Sequence, residues 1–343
     1  MIERLIATGS SYRYLLALTA LVAATPTAAT KASEFYRGKS ISLVIPSGPG
    51  GGYDSYSRLL ANHMPRHLTG NPPIVLQFMP GAGGVKAANY LYSVAPKNGL
   101  VFGLMTQSIA QTQLLQGGVK YDATKFNWLG RTSSQNSLLV VSAASGIRTL
   151  DDARHKPLLL GATGKGSYMY LDAILLKTVL GFERVKVIPG YGAAAAVDLA
   201  VERGEVHGRV AAVLLLNTRA ADFAQKKLIP LLVFGLDTGP DLRHIPLVGD
   251  IARTPEDKKV VQLIVSSAAV GRSYAAPPDV PAARVDELRK AFDLTMRDEP
   301  FKTEAAKRGV DLDPLPAAGI TKIIHDAVSQ PPALIERARA AIK

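Results

Sequence analysis

Ser40–Pro46 (SISLVIP) runs directly into Ser47–Asp54 (SGPGGGYD), and the joint between them decides the fold. The first piece is a short apolar run of β-branched and aliphatic residues, which reads as a strand. Asp54–Leu68 has helical spacing, so the glycine run is a strand-to-helix loop. Glycines there let backbone N–H groups approach a ligand without a Cβ in the way. The helix start adds unpaired N–H donors and a partial positive charge, a ready seat for an anion. The arrangement recurs at Pro80–Gly84 (PGAGG), Gly161–Ser167 (GATGKGS) and Gly190–Gly192 (GYG), each before a helical stretch. Four such loops in equivalent places carry more weight than any one of them, since a lone glycine run is usually only a tight turn.

Outward from the first loop, apolar runs and amphipathic stretches alternate in the βαβα manner of parallel sheets. Strands are expected at Pro73–Met79, Val101–Met105 and Ser137–Val141, with helices at Val85–Val94 and Gln107–Leu115. A second series follows: strands at Leu158–Gly161, Val185–Pro189, Val206–Val213 and Ile229–Leu236, with helices at Tyr168–Leu180 and Ala193–Arg203. The tail reads as helices over Pro281–Arg297, Glu299–Arg308 and Ile320–Lys343, the last broken at Pro331 and Pro332. Ala269–Pro281 holds prolines that favour extended chain and suits a return crossing. The expectation is an α/β chain of two lobes: residues 34–139 as the first part of lobe I, 140–268 as lobe II, and 269–343 returning to lobe I.

The 343 residues contain no cysteine, which excludes a disulfide scaffold, a thiolate metal site and a thiol nucleophile. Arg4 and Arg13 precede the apolar run Tyr14–Ala24, and small residues follow from Thr25 to Ser33, the order of an export signal covering residues 1–30. Its core is well short of the ~20 residues a membrane span needs. A mature chain starting near Glu34 in the periplasm is expected. Lys plus Arg number 40 against 28 Asp plus Glu, and Ser55–Tyr121 holds no acid at all. The basic residues are scattered singly and aromatics make up 6% of the chain, so a small anion suits this charge better than nucleic acid.

Several motifs nearly match and fail. The first loop lacks the last glycine of G-x-G-x-x-G, and no acid stands some 20 residues later to hold a ribose. In Gly161–Ser167 only two residues separate Gly161 from the Gly164-Lys165 pair, and Gly166 follows the lysine, so it is no P-loop. His63 and His67 have helical metal spacing but flank Pro65, and read as ordinary surface histidines. Asp54, in the first helical turn with Arg58 four residues on, reads as a structural brace more than a catalytic acid. No metal, cofactor or catalytic residue is expected, and the chain reads as a binder.

These residues resemble the substrate-binding receptors of tripartite tricarboxylate transporters, the Bug family of periplasmic proteins. The family's strand-Pro then GG-x-x-D-x-x-A-R start appears as Ile45-Pro46 and Gly50–Arg58, with Ser57 in place of Ala. PGAGG stands intact at Pro80–Gly84, Pro-x-x-Gly appears as Pro96–Gly99, and Tyr274–Pro281 is a looser form of APxGTP. The resemblance implies a two-lobed fold of the type II periplasmic-binding-protein kind, mainly parallel sheets flanked by helices, closing on a small organic acid that is passed to a membrane permease. It implies one ligand group held at Ser47, Gly50, Gly51, Gly52, Tyr53 and Asp54, with Thr106 beside them. The other side falls to Thr163, Gly164, Lys165, Gly166, Ser167 and Tyr168, and Tyr191, Gly192 and Ala193 close the pocket. Lys165 and Tyr168 depart from the common family wording, leaving an aromatic or monocarboxylic acid open. The rival readings are an enzyme using Lys165 or Tyr168 as acid/base in the same cleft, and a partner of a signalling protein.

Overall fold

The computed structural model describes residues 34–239 and 242–343, so the expected export segment lies outside the described residues. The first sheet is built from β1 (Ile41–Ile45), β2 (Ile74–Phe78), β3 (Val101–Leu104) and β4 (Asn127–Arg131), joined through α1 (Gly52–His63), α2 (Val85–Ser93) and α3 (Ile109–Leu115). The chain then enters a second sheet with β5 (Ser137–Ser142), α4 (Leu150–His155), β6 (Leu158–Ala162), α5 (Tyr168–Thr178), β7 (Val185–Pro189) and α6 (Ala194–Glu202). β8 (Gly208–Ala212), two short helices α7 (Leu215–Thr218) and α8 (Ala220–Ala224), and β9 (Leu228–Phe234) complete it. After α9 (Pro255–Val265) and α10 (Ser267–Val270), β10 (Ser273–Ala276) returns to the first sheet. The tail is α11 (Ala282–Arg297), α12 (Glu299–Lys307), β11 (Leu315–Pro316), α13 (Ala317–Val328) and α14 (Pro332–Ala341).

The sheets are ordered β11-β4-β10-β3-β1-β2 and β7-β6-β8-β5-β9. In the first, β1–β4 share one direction and β10 and β11 oppose them; in the second, β5 alone is reversed. Both sheets are therefore mixed. Of the three reversed strands, β5 and β10 are those that enter a sheet from the other lobe.

Period-two alternation explains how the first sheet carries helices on both faces. Ile41, Leu43 and Ile45 pack with Leu59, Leu60, Phe292 and Phe301 of α1, α11 and α12. Val44 turns the other way, onto a cluster with Leu91, Ile109, Ile320 and Ile324 of α2, α3 and α13. In the second sheet Leu139 and Val141 join the large cluster beneath α5 and α9, while Leu138 and Val140 join a smaller one. The tail is shared: Ala338 and Ile342 at its end belong to the second lobe's cluster, and α14 also touches α3. The α14 helix thus differs from an assignment of the whole tail to lobe I.

The two crossings run side by side. Thr132 N donates to Arg272 O (3.0 Å), Arg272 N to Ser133 O (2.8 Å) and Gln135 N to Ala268 O (2.9 Å). Gly271, at φ +51°, has Ser133 O where a Cβ would stand 2.1 Å away, so only glycine lets the strands approach so closely. Among the described residues no helix is long and apolar enough to cross a membrane.

Candidate functional site

A cavity of about 210 Å³ lies between the lobes at the carboxyl ends of β1, β3, β6 and β8, where α/β sheets place ligands. Three helices begin at it. Gly52 and Tyr53 of α1, Tyr168 and Met169 of α5, and Ala194 of α6 all line the wall. The first-turn amides of a helix have no intrahelical acceptors, so three sets of donors and three positive dipole ends point toward one space.

The loop after β1 is held open by its own geometry and by Asp54. Gly50 and Gly51 lie at φ +84° and +87°, a region an L side chain enters only with strain. Gly50 N donates to Asp54 Oδ2 at 2.9 Å, and Asp54 Oδ1 meets Arg58 Nε at 2.7 Å. Asp54 therefore braces the loop from behind and does not line the cavity.

Arg272 is the decisive side chain. It lines the cavity, is 1% exposed, and has no acidic partner among the described residues. Nη1 donates to Gln107 Oε1 (3.0 Å) and Nη2 reaches Gln135 Oε1 (3.5 Å), both neutral amides, while Nε has no partner. Its guanidinium stacks over Tyr53 at 4.5 Å from the ring centre, with Tyr56 at 5.7 Å. Gly52 makes room for it: a Cβ there would stand 3.3 Å from Nη2. A buried cation held only by neutral groups calls for an anion. The buried Tyr168 phenol has its pKa raised by desolvation, against the pull of Arg272 and Arg209, and so stays a protonated donor.

Charges elsewhere on the wall are already matched. Arg209 grips Asp198 with two bonds of 2.6 and 3.0 Å. Arg219 meets Glu202 at 2.8 Å and Asp222 more closely still. Leu214, Leu215, Ala212 and Met169 supply the apolar surface.

Of the residues expected from sequence, Ser47, Gly50, Gly51, Gly52, Tyr53, Thr106, Thr163, Ser167 and Tyr168 come together on this cavity. Others do not reach it. Gly164 and Gly166 press on the Pro80–Gly84 loop of the other lobe: Cβ atoms on them would stand 2.4 Å from Gly83 N and 2.7 Å from Ala82 O. Ser108 and Thr112 donate to Gly166 O at 2.7 and 2.9 Å, and Gln116 to Lys165 O. The Lys165 side chain is exposed, off the cavity wall, which removes it as an acid/base there. Tyr191 and Gly192 line a separate open cleft shared with Pro80–Ala82, Thr163 and Gly164, while Ala193 caps α6. Gly192 O accepts a bond from Gly48 N at 2.9 Å, another tie between lobes.

Arg272, Arg209, Arg219 and Asp198 were not legible as site residues. The available signal was a single charge in an apolar setting: Arg272 alone within Ala268–Ala276, and Arg209 within Gly208–Ala212. His63 is a correction of another kind. It is 5% exposed, packs edge-on to Phe301 and bonds Glu304 at 2.5 Å, so it is a core histidine and not a surface one. The described residues hold no cluster of three metal-ligating side chains.

Residues 56–339 match the model of the tripartite tricarboxylate transporter family receptor, TctC. The chain belongs to that receptor family. A curated relative, described as a UPF0065 protein in the tcbD-tcbE intergenic region of Pseudomonas sp. (strain P51), is 25% identical over 71% of this chain and 72% of its own. Among solved structures, the periplasmic binding protein BugD superposes with a TM-score of 0.70 at 17% identity, covering 89% of this chain and 98% of that one. MatC of Rhodopseudomonas palustris with bound malate gives 0.69 at 17% identity, over 89% of this chain and 99% of that one. The R. palustris protein Rpa4515 with adipate gives 0.68 at 21%, over 89% and 97%. The fold is the two-lobed α/β fold of these binding proteins, and the receptor is a solute-binding protein and not an enzyme.

Proposed function

We propose that this receptor captures a small organic carboxylate in the interlobe cavity, in the periplasm, and hands it to the membrane permease of a tripartite transporter. Arg272 carries the reading: a guanidinium 1% exposed, without an acid among the described residues, facing a space already supplied with helix-start amides. A carboxylate there would accept charge-assisted bonds from the guanidinium and ordinary ones from the amides and the Tyr168 hydroxyl. Malate and adipate in two structural relatives are both carboxylates, which supports the same class here. Because such a ligand touches both lobes, it would bind the closed state better than the open one and shift the population toward closure. The functional residues are then Ser47, Gly50–Tyr53, Thr106, Thr163, Ser167, Tyr168 and Arg272, with Asp54 as brace.

A thermal-shift panel of organic acids, sugars and cationic amino acids tests this. Stabilisation by carboxylates alone is expected, since a ligand at 100 times its Kd adds about 2.7 kcal/mol. No response to any acid, with a clear response to a sugar or cation, would falsify the reading.

A further inference from the structure

We infer that the bound acid is a monocarboxylate with a compact apolar body, about the size of one six-membered ring, and not a di- or tricarboxylate. The inference rests on the carboxylate reading above and narrows it.

Charge sets the number of carboxylates. Arg272 is the one cavity-lining cation without an acid among the described residues, so only one carboxylate can pair with a full positive charge. Elsewhere on the wall Arg209 is neutralised by Asp198, and Arg219 already serves two acids, Glu202 and Asp222. A second carboxylate there would enter an environment that is neutral to acidic, and would lose hydration without gaining a free cation.

The hydroxyls set the character of the body. Ser47 donates to Gly48 O, Ser55 to Gly51 O, Ser167 to Gly164 O and Thr218 to Leu214 O, at 2.7–3.2 Å. These four hydroxyls spend their protons on their own backbone, which leaves the helix-start amides, Arg272, Thr163 and the Tyr168 phenol as donors for the carboxylate. Carbon surface for the body comes from Ala212, Leu214, Leu215 and Met169. Size agrees: an apolar cavity of about 150 Å³ admits benzene, and this one encloses about 210 Å³. A ring with a carboxylate fits, its charged end on Arg272 and its body on the leucines.

Calorimetry on the protein with benzoate, cyclohexanecarboxylate, succinate, citrate and benzamide is the test. Benzoate and cyclohexanecarboxylate should bind at least about tenfold more tightly than succinate or citrate, and benzamide at least about 30-fold more weakly than benzoate. Arg272→Gln should abolish the preference for benzoate over benzamide, with an unchanged circular dichroism spectrum. Should that variant fail to fold, Glu202→Gln combined with Asp222→Asn replaces it. Freeing Arg219 should improve succinate about fivefold or more and leave benzoate within about twofold. Tighter binding of succinate or citrate to the unaltered protein overturns the inference and leaves the carboxylate reading standing. Succinate unmoved in the double variant also overturns it. Binding of none of the acids overturns the reading on which it rests.

Discussion

The loops after β1 and β6 occupy equivalent places, each a glycine run leading from a strand into a helix, yet they do different work. In the first, Gly50 and Gly51 stand where a Cβ would meet only the Ala195 and Ala194 methyls, at 3.0 and 3.1 Å, so their contact with the other lobe is soft. Their lack of side chains leaves the α1 amides facing the cavity. In the second, a Cβ on Gly164 would reach 2.4 Å from Gly83 N, and one on Gly83 would reach 2.3 Å from Ser167 N, backbone against backbone. Glycine serves access in one loop and closeness in the other. The first loop lies open on the cavity wall, whereas the second reaches that wall with Thr163 and Ser167 and presses its glycines on the other lobe.

Breaking that glycine contact should have the largest effect. Gly83→Val places branched carbon against a main chain that cannot rotate away, at φ +69°, where a side chain is itself strained by about 1–2 kcal/mol. The lobes should be held apart. Affinity for the acid selected by the thermal-shift panel should fall about 100-fold or more, and small-angle scattering should show a larger radius of gyration in its presence. Unchanged affinity and radius would mean that the Gly83–Gly164 contact is incidental to closure.

The two helices also differ in their acids. Asp54 of α1 has Arg58 and the Gly50 amide, whereas Asp172 of α5 is fully buried with Ser137 Oγ at 2.7 Å and, among the described residues, no cation. Desolvation pushes the Asp172 carboxyl up to about 7, against the Ser137 hydrogen bond. The folded state then holds this proton more tightly than the unfolded state does. Stability contributed by the neutral acid is complete below the unfolded pKa near 4 and is lost as pH rises through about 7. Asp172→Asn should remove that slope and make the variant more stable than the parent at pH 8, by on the order of 2–4 kcal/mol. Denaturant melts at pH 5 and pH 8 decide it; a slope that survives in the variant assigns it elsewhere.

A smaller effect is expected at Asp54. Asp54→Ala leaves the Gly50 amide without its acceptor, a loss comparable to a helix cap at about 1 kcal/mol. Affinity should drop about tenfold because the loop loses its shape. Asp54→Asn keeps an acceptor oxygen and should recover most of it. Equal losses in both variants would show that the charge near α1 matters and not the brace.

The halves of the site differed in how far they could be read from the chain. Apolar alternation in Ser40–Pro46 and the glycines after it locate β1, α1 and the cavity loop, because a strand, a turn and a helix start are all local patterns. The same local pattern in Gly164-Lys165-Gly166 suggested ligand contact, whereas those residues seat against Pro80–Gly84. Access and close approach both require a missing Cβ, and only the partner, some 80 residues away, tells them apart. Arg272 is harder still. Its meaning depends on Gln107, Gln135 and Tyr53, drawn from three other segments, and on the absence of an acid that no local pattern records. β10 was likewise read as a crossing and not a strand, since its four residues pair only with distant β3 and β4.

Gly52→Ala gives the mildest test and the cleanest separation of binding from folding. Gly52 is the first residue of α1 and, unlike Gly50 and Gly51, does not adopt a positive φ, so alanine meets no backbone strain. Alanine is the better helix former, by a few tenths up to about 1 kcal/mol, and the variant should melt slightly higher than the parent. Its methyl would stand 3.3 Å from Arg272 Nη2 and 3.4 Å from Leu214 Cδ2, tight enough to move the guanidinium by a few tenths of an ångström. Ligand affinity should then fall about threefold while stability rises. Opposite signs are what a residue kept for access predicts. If both quantities fall together, Gly52 is a packing residue like Gly164, and the contrast between the two loops fails at its closest point to Arg272.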